Sequence, residues 1–430
     1  MAFGRFQDFL GGLVKRQRSL FSGSEQSSID ELVEKLMGSV GEVSGIVTAR
    51  QVLDHYAELD GEHKQAFFEN LERNFNADPE LVKAAYEEYA ENPSSANLNK
   101  LSRATVPQRN ELLRRLNQTP GATHDLVAMR RDLLGLLAEH KELASVDEDF
   151  VRLFASWFGR SFLLLQNINW STSAAILERI IRYEAVHAIK DWDDLRRRID
   201  PPNRRCFAYF HPALVDEPLI FVEVALTQEI PGSINSILEE ESGGAEELVE
   251  YKTAVFYSIS NCQPGLRNIS FGNFLIKQVV QELQSEFPSI KTFVTLSPIP
   301  GFSRWLEQDL ETDPAALREL KDEVARLGTD PVVVTEHADE VKKCVLNYLL
   351  QVKRGKYPAD LVARFHLGNG ASIHKVHTGA DLSEKGVRQA RGAMVNYLYD
   401  LDSIETNHER YAIDGVIQFN DKLKTLLIKS

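Results

Sequence analysis

Residues 252–305 read KTAVFYSISNCQPGLRNISFGNFLIKQVVQELQSEFPSIKTFVTLSPIPGFSRW, and the change of periodicity along this stretch decides the fold. Ala254, Val255, Phe256, Tyr257 and Ile259 form an apolar, aromatic and β-branched run that predicts a buried strand, and Gln263-Pro264-Gly265 breaks it. From Asn273 onward Leu275, Ile276, Val279, Val280, Leu283 and Phe287 recur at helical spacing. Ser270 and Asn273 stand where N-caps belong, and Pro288 closes the helix. Lys291 to Leu296 predicts a second strand, which runs directly into Ser297-Pro298-Ile299-Pro300-Gly301. The stretch is a strand, loop, helix, strand unit.

Such a unit aims the free N–H groups of a helix N-terminus, and the positive end of its dipole, into the preceding loop, an arrangement suited to phosphate or pyrophosphate. The loop residues Arg267, Asn268, Ile269, Ser270, Phe271, Gly272 and Asn273 are therefore the candidate anion-binding residues. Their pattern resembles the R-x-x-G-x-G/A loop of the GCN5-related N-acetyltransferase (GNAT) superfamily, which cradles the pyrophosphate of coenzyme A. Ser270 stands in place of the first glycine. Taken alone, the loop also fits an ordinary strand-to-helix turn.

Working outward, a chain of 430 residues is long enough for two or three domains, each with ample area to bury. Its 49 basic and 63 acidic residues leave a net charge of −14, so no general attraction to nucleic acid or an anionic membrane is expected. An anionic ligand must be held by local groups. Cys206, Cys262 and Cys344 are the three cysteines, without C-x-x-C spacing or a Cys/His cluster, which argues against a disulfide framework or a zinc site and for a reducing compartment. No apolar run approaches the ~20 residues of a membrane-spanning helix. Cytoplasmic residence is the expectation; the basic N-terminal segment with Arg5, Lys15, Arg16 and Arg18 would, as an organelle-targeting signal, imply a mitochondrial one.

Upstream of residue 184 the pattern is helical. Leu32, Val33, Leu36 and Met37, then Leu81, Ala84, Ala85 and Tyr89, then Leu126, Met129, Leu133, Leu134 and Leu137 recur at helical spacing, punctuated by Pro79, Pro93, Pro107 and Pro120. A bundle of roughly eight short helices is expected over residues 1–183. Glu87-Glu88 and Arg130-Arg131-Asp132 read as solvated helix faces, and the apolar stretch from Phe150 to Leu165 reads as a core helix. Downstream, CFAYFHP and LIFVEVAL predict two strands joined at Asp216-Glu217-Pro218, and an acidic loop around Glu239-Glu240-Glu241 follows. Residues 314–327 and 337–350 predict helices, whereas ARFHLGNGASIHKVH at 363–377 predicts a strand, a Gly368-Asn369-Gly370 turn and a second strand. The fold class is α+β: an N-terminal all-α helical bundle, then a mixed α/β domain over 184–430.

LSPIPGFSRWL, ARFHLGNGA at 363–371, GAMVNYLYDL at 392–401, EAVHAIKDWDDLRRRI and FLIKQVVQELQSEFP together resemble the malonyl-CoA decarboxylase family. The resemblance implies a GNAT-like catalytic domain, conversion of malonyl-CoA to acetyl-CoA and carbon dioxide, no cofactor beyond the coenzyme A carried by the substrate, and no metal. It places the catalytic serine on Ser297 and the catalytic histidine on His366, sets Tyr399 near that pair, and leaves Asn369 as a further donor. It also implies a homo-oligomer, dimer or tetramer, formed through the helical domain, and aligns Cys206 with a cysteine that crosslinks subunits in some relatives. The chemistry needs little: a thioester carbonyl is its own electron sink, so the protein must orient the carboxylate, stabilise an enolate oxygen and return one proton. Two other readings share the loop, a GNAT-type N-acyltransferase and a non-catalytic malonyl-CoA sensor. A Ser/His hydrolase is disfavoured because Ser297 lies in no G-x-S-x-G elbow.

Overall fold

The strand, loop, helix, strand unit forms the centre of a seven-stranded sheet. The computed structural model describes residues 28–239, 250–269, 274–308 and 315–428. The basic N-terminal segment, most of the acidic loop after Glu239, and Ser270, Phe271, Gly272 and Asn273 lie outside the described residues. The chain divides into two compact units.

In the first, eight α-helices occur among the described residues: α1 Ile29–Gly38, α2 Glu42–Glu58, α3 Gly61–Asn74, α4 Pro79–Glu91, α5 Ser95–Ala104, α6 Gln108–Leu116, α7 Ala122–Leu136 and α8 Ala144–Trp157. Side-chain caps explain several boundaries: Asp60, Asp78 and Ser94 each accept a backbone N–H in the first turn of the helix they precede. The core gathers Phe67, Phe68, Leu71, Leu112, Leu116, Leu133, Phe150 and Phe154, all at 2% exposure or less. Two later segments join this unit, His211–Val215 and the one beginning at Gln263.

The second unit starts at Leu164, ahead of the expected boundary at 183/184. Its sheet runs β1-β2-β3-β4-β5-β9-β8, with β1 Leu164–Ile168, β2 Arg204–Phe210, β3 Pro218–Thr227, β4 Thr253–Asn261, β5 Thr292–Thr295, β8 Ser372–His377 and β9 Met394–Leu398. The short pair β6 Lys353–Arg354 and β7 Tyr357–Pro358 stands apart. Every pairing in the large sheet is antiparallel except that of β4 with β5. That one parallel pair needs a crossover, and α12 Phe274–Glu286 supplies it.

Strand alternation sorts the two faces. Cys206 and Ala208 of β2 pack with Ile176 and Ile180 of α9 Ala174–Tyr183 and with Leu195 and Ile199 of α10 Trp192–Ile199. Tyr209, the residue after Ala208 and so on the opposite face, donates its hydroxyl to the Leu275 carbonyl of α12 at 2.6 Å. Cys206 is 0% exposed, so the cysteine aligned with a subunit crosslink lies inside the sheet packing and not at a surface. The remaining helices are α11 Asn235–Leu238, α13 Phe302–Leu306, α14 Ala315–Arg326, α15 Pro331–Glu336, α16 Ala338–Gln351, α17 Leu361–Gly368, α18 Glu384–Ala390 and α19 Ile404–Asp414.

Two elements depart from expectation: the apolar run from Phe150 to Leu165 is an α-helix only to Trp157 and ends in the exposed edge strand β1. Residues 361–368 form α17 and not a strand. Asp360 caps it by accepting the Val362 and Ala363 N–H groups at 3.0 and 2.9 Å, and Ala363, His366 and Leu367 are its buried residues, a helical spacing. The strand expected ahead of the Gly368-Asn369-Gly370 turn is therefore replaced by a capped helix, and only the second, Ser372–His377, is a strand.

Candidate active site

Strands β4 and β5 pair from Thr253↔Thr292 to Phe256↔Thr295, and the Leu296 N–H makes a last bond to the Phe256 carbonyl at 3.0 Å. Beyond it the strands part. β4 continues along β3 to Asn261, with a register shift at Glu223/Val224, while Ser297 exchanges both backbone hydrogen bonds with Val395, at 2.9 Å each. The opening holds a cavity of about 280 Å³ lined by Tyr257, Ile259, Ser297, Pro298, Phe365 and His366 among others.

Three elements build a buried polar group beside this cavity, and Ser297 and His366 of that group line it. Thr295 and Ser297 share one face at the end of β5, since they lie two residues apart. Tyr397 and Tyr399 share a face at the end of β9, where the Tyr399 N–H is held by the Phe293 carbonyl at 2.8 Å. His366 comes from the last turn of α17. Its Nε2 lies 3.1 Å from Ser297 Oγ, and its Nδ1 lies 2.7 Å from the Tyr399 hydroxyl. The ring stacks on Tyr397, with centroids 4.7 Å apart and planes at 23°. Ser297, His366 and Tyr399, expected to act together, are thus in one buried hydrogen-bonded chain.

Burial governs the electrostatics here. It depresses the His366 imidazole to about 3, so the ring is neutral at pH 7. It pushes the Tyr399 phenol well above its ordinary value. A neutral imidazole between a serine and a tyrosine, with no carboxylate in the chain, suits proton relay rather than the stabilised imidazolium of a Ser/His/Asp hydrolase.

Asn369 is placed differently from the expectation. Its amide donates to the Phe365 carbonyl at 2.6 Å, and its own N–H bonds to the Phe365 and His366 carbonyls, so it closes the C-terminus of α17. Of the loop residues, Arg267 and Asn268 are exposed and Ile269 is buried, and Asn268 adopts φ +66°. In the helical unit Arg130 donates to the Gly265 and Arg267 carbonyls at 2.7 and 2.9 Å and pairs with Asp147 at 2.7 Å. Arg130 is 0% exposed; the expected solvated face is here an anchor for the start of the loop. A Cβ at Gly265 would lie 1.9 Å from the Val127 carbonyl oxygen, so glycine is required for this approach.

Two further residues escaped the sequence reading. Asp360 accepts the Gly301 N–H at 3.2 Å in addition to capping α17, which ties the Ser297–Gly301 turn to the helix of His366. Burial raises its carboxyl above the usual range even against those hydrogen bonds. Aspartate immediately before an apolar run was the available signal. Thr295 accepts the Ser297 hydroxyl at 2.9 Å and the Tyr397 N–H at 3.1 Å; nothing in a strand reading of TFVTL singles it out.

The α+β domain thus carries a mixed sheet whose parallel pair parts beside a buried serine, histidine and tyrosine. The malonyl-CoA decarboxylase C-terminal domain model matches residues 161–430 and the N-terminal domain model residues 75–158. The chain belongs to the malonyl-CoA decarboxylase family. It is 35% identical over 339 residues to the mitochondrial malonyl-CoA decarboxylase of Anser anser anser, an alignment spanning 71% of this chain and 66% of that protein. Crystal structures of malonyl-CoA decarboxylase from Rhodopseudomonas palustris and Agrobacterium vitis are each 44% identical to it. They superpose with TM-scores of 0.83 and 0.84, covering 93% and 94% of this chain and all of each of those chains. Among the described residues no helix is long and apolar enough to cross a membrane.

Proposed function

We propose that this protein decarboxylates malonyl-CoA to acetyl-CoA and carbon dioxide. The observation that carries the reading is the Ser297, His366 and Tyr399 chain, whose Ser297 and His366 line a largely apolar opening between two parting strands. A thin pantetheine arm fits such an opening and brings its thioester to Ser297. The bond from the α-carbon to the carboxylate breaks, its electron pair moves into the thioester as an enolate, and a proton then joins the α-carbon as carbon dioxide leaves. Ser297 and His366 supply the donors and the proton path. Residues 267–273, with Arg267 foremost, are proposed to hold the diphosphate of coenzyme A.

The chemistry draws on no metal because the thioester accepts the electrons itself. Full loss of activity in EDTA, restored by a divalent cation, would sink this part of the reading. Purified protein incubated with malonyl-CoA alone is expected to yield acetyl-CoA. Binding without turnover would support the sensor reading, and acetyl-CoA consumption only with an added amine the acyltransferase one.

We also propose that the helical unit mediates self-association and that the protein is cytoplasmic, as suits its kinship with the bacterial structures. Fractionation of cells expressing it, with the protein recovered from an organelle, would overturn the second of these.

A further inference from the structure

We propose that Thr295 is a positioning residue that sets the direction of the proton relay, by holding His366 in the tautomer that carries its hydrogen on Nε2. The meaning of that direction for catalysis rests on the decarboxylase reading; the tautomer itself does not.

Thr295 is 0% exposed, and its Oγ1 receives two donors. One is the Tyr397 N–H at 3.1 Å, and a backbone amide can only donate. The other is the Ser297 hydroxyl at 2.9 Å. The Ser297 hydrogen therefore points to Thr295, and the side of Ser297 Oγ that faces His366 Nε2 at 3.1 Å offers a lone pair. Only an N–H on Nε2 satisfies that contact. A neutral imidazole has one such hydrogen, so Nδ1 is bare and accepts the Tyr399 hydroxyl at 2.7 Å. All the hydrogens in the chain then point one way: Tyr399 to His366, His366 to Ser297, Ser297 to Thr295.

The arrangement is built into the sheet. Around Thr295, β5 and β9 pair at Val294↔Leu398 and, past the strand end, at Ser297↔Val395. Between those points the Thr295 hydroxyl holds the Tyr397 N–H, and the Asn396 amide donates to the Thr295 carbonyl at 2.7 Å. Asn396 Oδ1 is in turn 2.5 Å from His377 Nε2. Thr295 is gripped from both its hydroxyl and its carbonyl, so its acceptor cannot drift from Ser297.

Direction matters when the α-carbon takes its proton. Ser297 turns its hydrogen from Thr295 to the substrate, the Ser297 O–H bond breaks and the C–H bond forms. Nε2–H passes to the Ser297 oxygen, the Tyr399 hydroxyl proton passes to Nδ1 and one proton from water restores the phenol, which leaves the ring in the Nδ1–H form; proton exchange with water after product release returns it to the Nε2–H form that Thr295 favours. In the opposite tautomer His366 would accept from Ser297 and the chain would lead protons away from the substrate.

The test uses the full chain labelled with ¹⁵N-histidine, reading the Nδ1 and Nε2 shifts by long-range ¹H–¹⁵N correlation and assigning His366 by its loss in His366→Asn. Wild type and Thr295→Ser are expected to show the Nε2–H tautomer. Thr295→Val, isosteric but without an acceptor, is expected to populate Nδ1–H, because Ser297 then turns its hydrogen to Nε2. Its kcat on malonyl-CoA should fall at least about tenfold toward the ~100-fold scale of a lost acid–base path, with KM changed less than about threefold, and Thr295→Ser should recover it. An Nδ1–H wild type, or an Nε2–H Thr295→Val whatever its kcat, overturns the assignment; an Nδ1–H Thr295→Val with unchanged kcat overturns the directional role. Should Thr295→Val not fold, wild type and Thr295→Ser still decide the tautomer. A chain that shows Nε2–H but turns over no malonyl-CoA upholds the tautomer and refutes the decarboxylase reading alone.

Discussion

His366 is neutral because it is buried, and that has a measurable consequence for stability as well as for chemistry. Its folded value of about 3 lies below the ordinary 6.5, so between those limits the unfolded chain binds a proton that the folded one refuses. Stability therefore rises with pH across this window and is lost as pH falls from about 6.5 toward 3, at most by roughly 4–5 kcal/mol from this group. In urea titrations from pH 4 to 7, His366→Asn should show a shallower dependence of unfolding free energy on pH than wild type, by up to one proton. Equal slopes would mean that the ring is not neutral in the fold. For catalysis, Ser297→Ala should lower kcat while CoA-ester affinity stays within about tenfold, or ~1.4 kcal/mol, since pantetheine and phosphate contacts dominate binding. Wild-type kcat in Ser297→Ala would remove Ser297 from the mechanism. Both residues were legible because each sits in a motif with company, LSPIPGFSRW and ARFHLGNGA. Thr295 was not, because its importance lies in what its hydroxyl touches and not in its residue type.

At the level of elements, the central unit could be read outright since its periodicity switches cleanly from strand to helix and back. The errors came where local pattern and tertiary context diverge. The strand expected over ARFHL is a helix, α17, because Asp360 caps its first turn. Edge strand β1, half-exposed and five residues long, was absorbed into the preceding apolar run. Arg130, flanked by Arg131 and Asp132, looked like surface but ties down the loop that begins at Gly265. Two substitutions test these joints. Gly301→Ala would set a Cβ 2.5 Å from the Tyr348 hydroxyl and 3.1 Å from Asp360 Oδ2. It should cost about 1–3 kcal/mol of stability and lower kcat by shifting α17 against Ser297; an unchanged melting temperature and kcat would mean the turn relaxes freely. Arg130→Met should instead raise KM for malonyl-CoA several-fold with kcat nearly intact, because the anchor of the proposed diphosphate loop is lost while the relay is untouched. A fall in kcat alone would place the loop's role elsewhere.

For the whole molecule, the feature that asks for a partner is α4. None of its residues is buried, yet it presents Leu81 and Tyr86 at 61% and 59% exposure, and Leu98 of α5 adds a further 49%. A helix that buries nothing in its own unit gains little from folding unless something covers it. A second copy of the chain is the proposed cover, as closed symmetric assembly is the commonest way a soluble protein buries such a face. The acidic character of the chain, −14 overall, does not forbid this, because α4 and α5 carry both signs and Lys100 of α5 lies against Glu88 of α4 at 2.5 Å. Deleting the helical unit is a poor test, since that unit also grips the loop at Gly265. The double substitution Leu81→Glu and Tyr86→Glu leaves the core untouched, so the melting temperature should barely change while light scattering reports a smaller species than wild type. If the variant keeps the wild-type mass across the micromolar range, self-association does not run through this hairpin. If wild type is already a monomer, the proposed assembly does not exist.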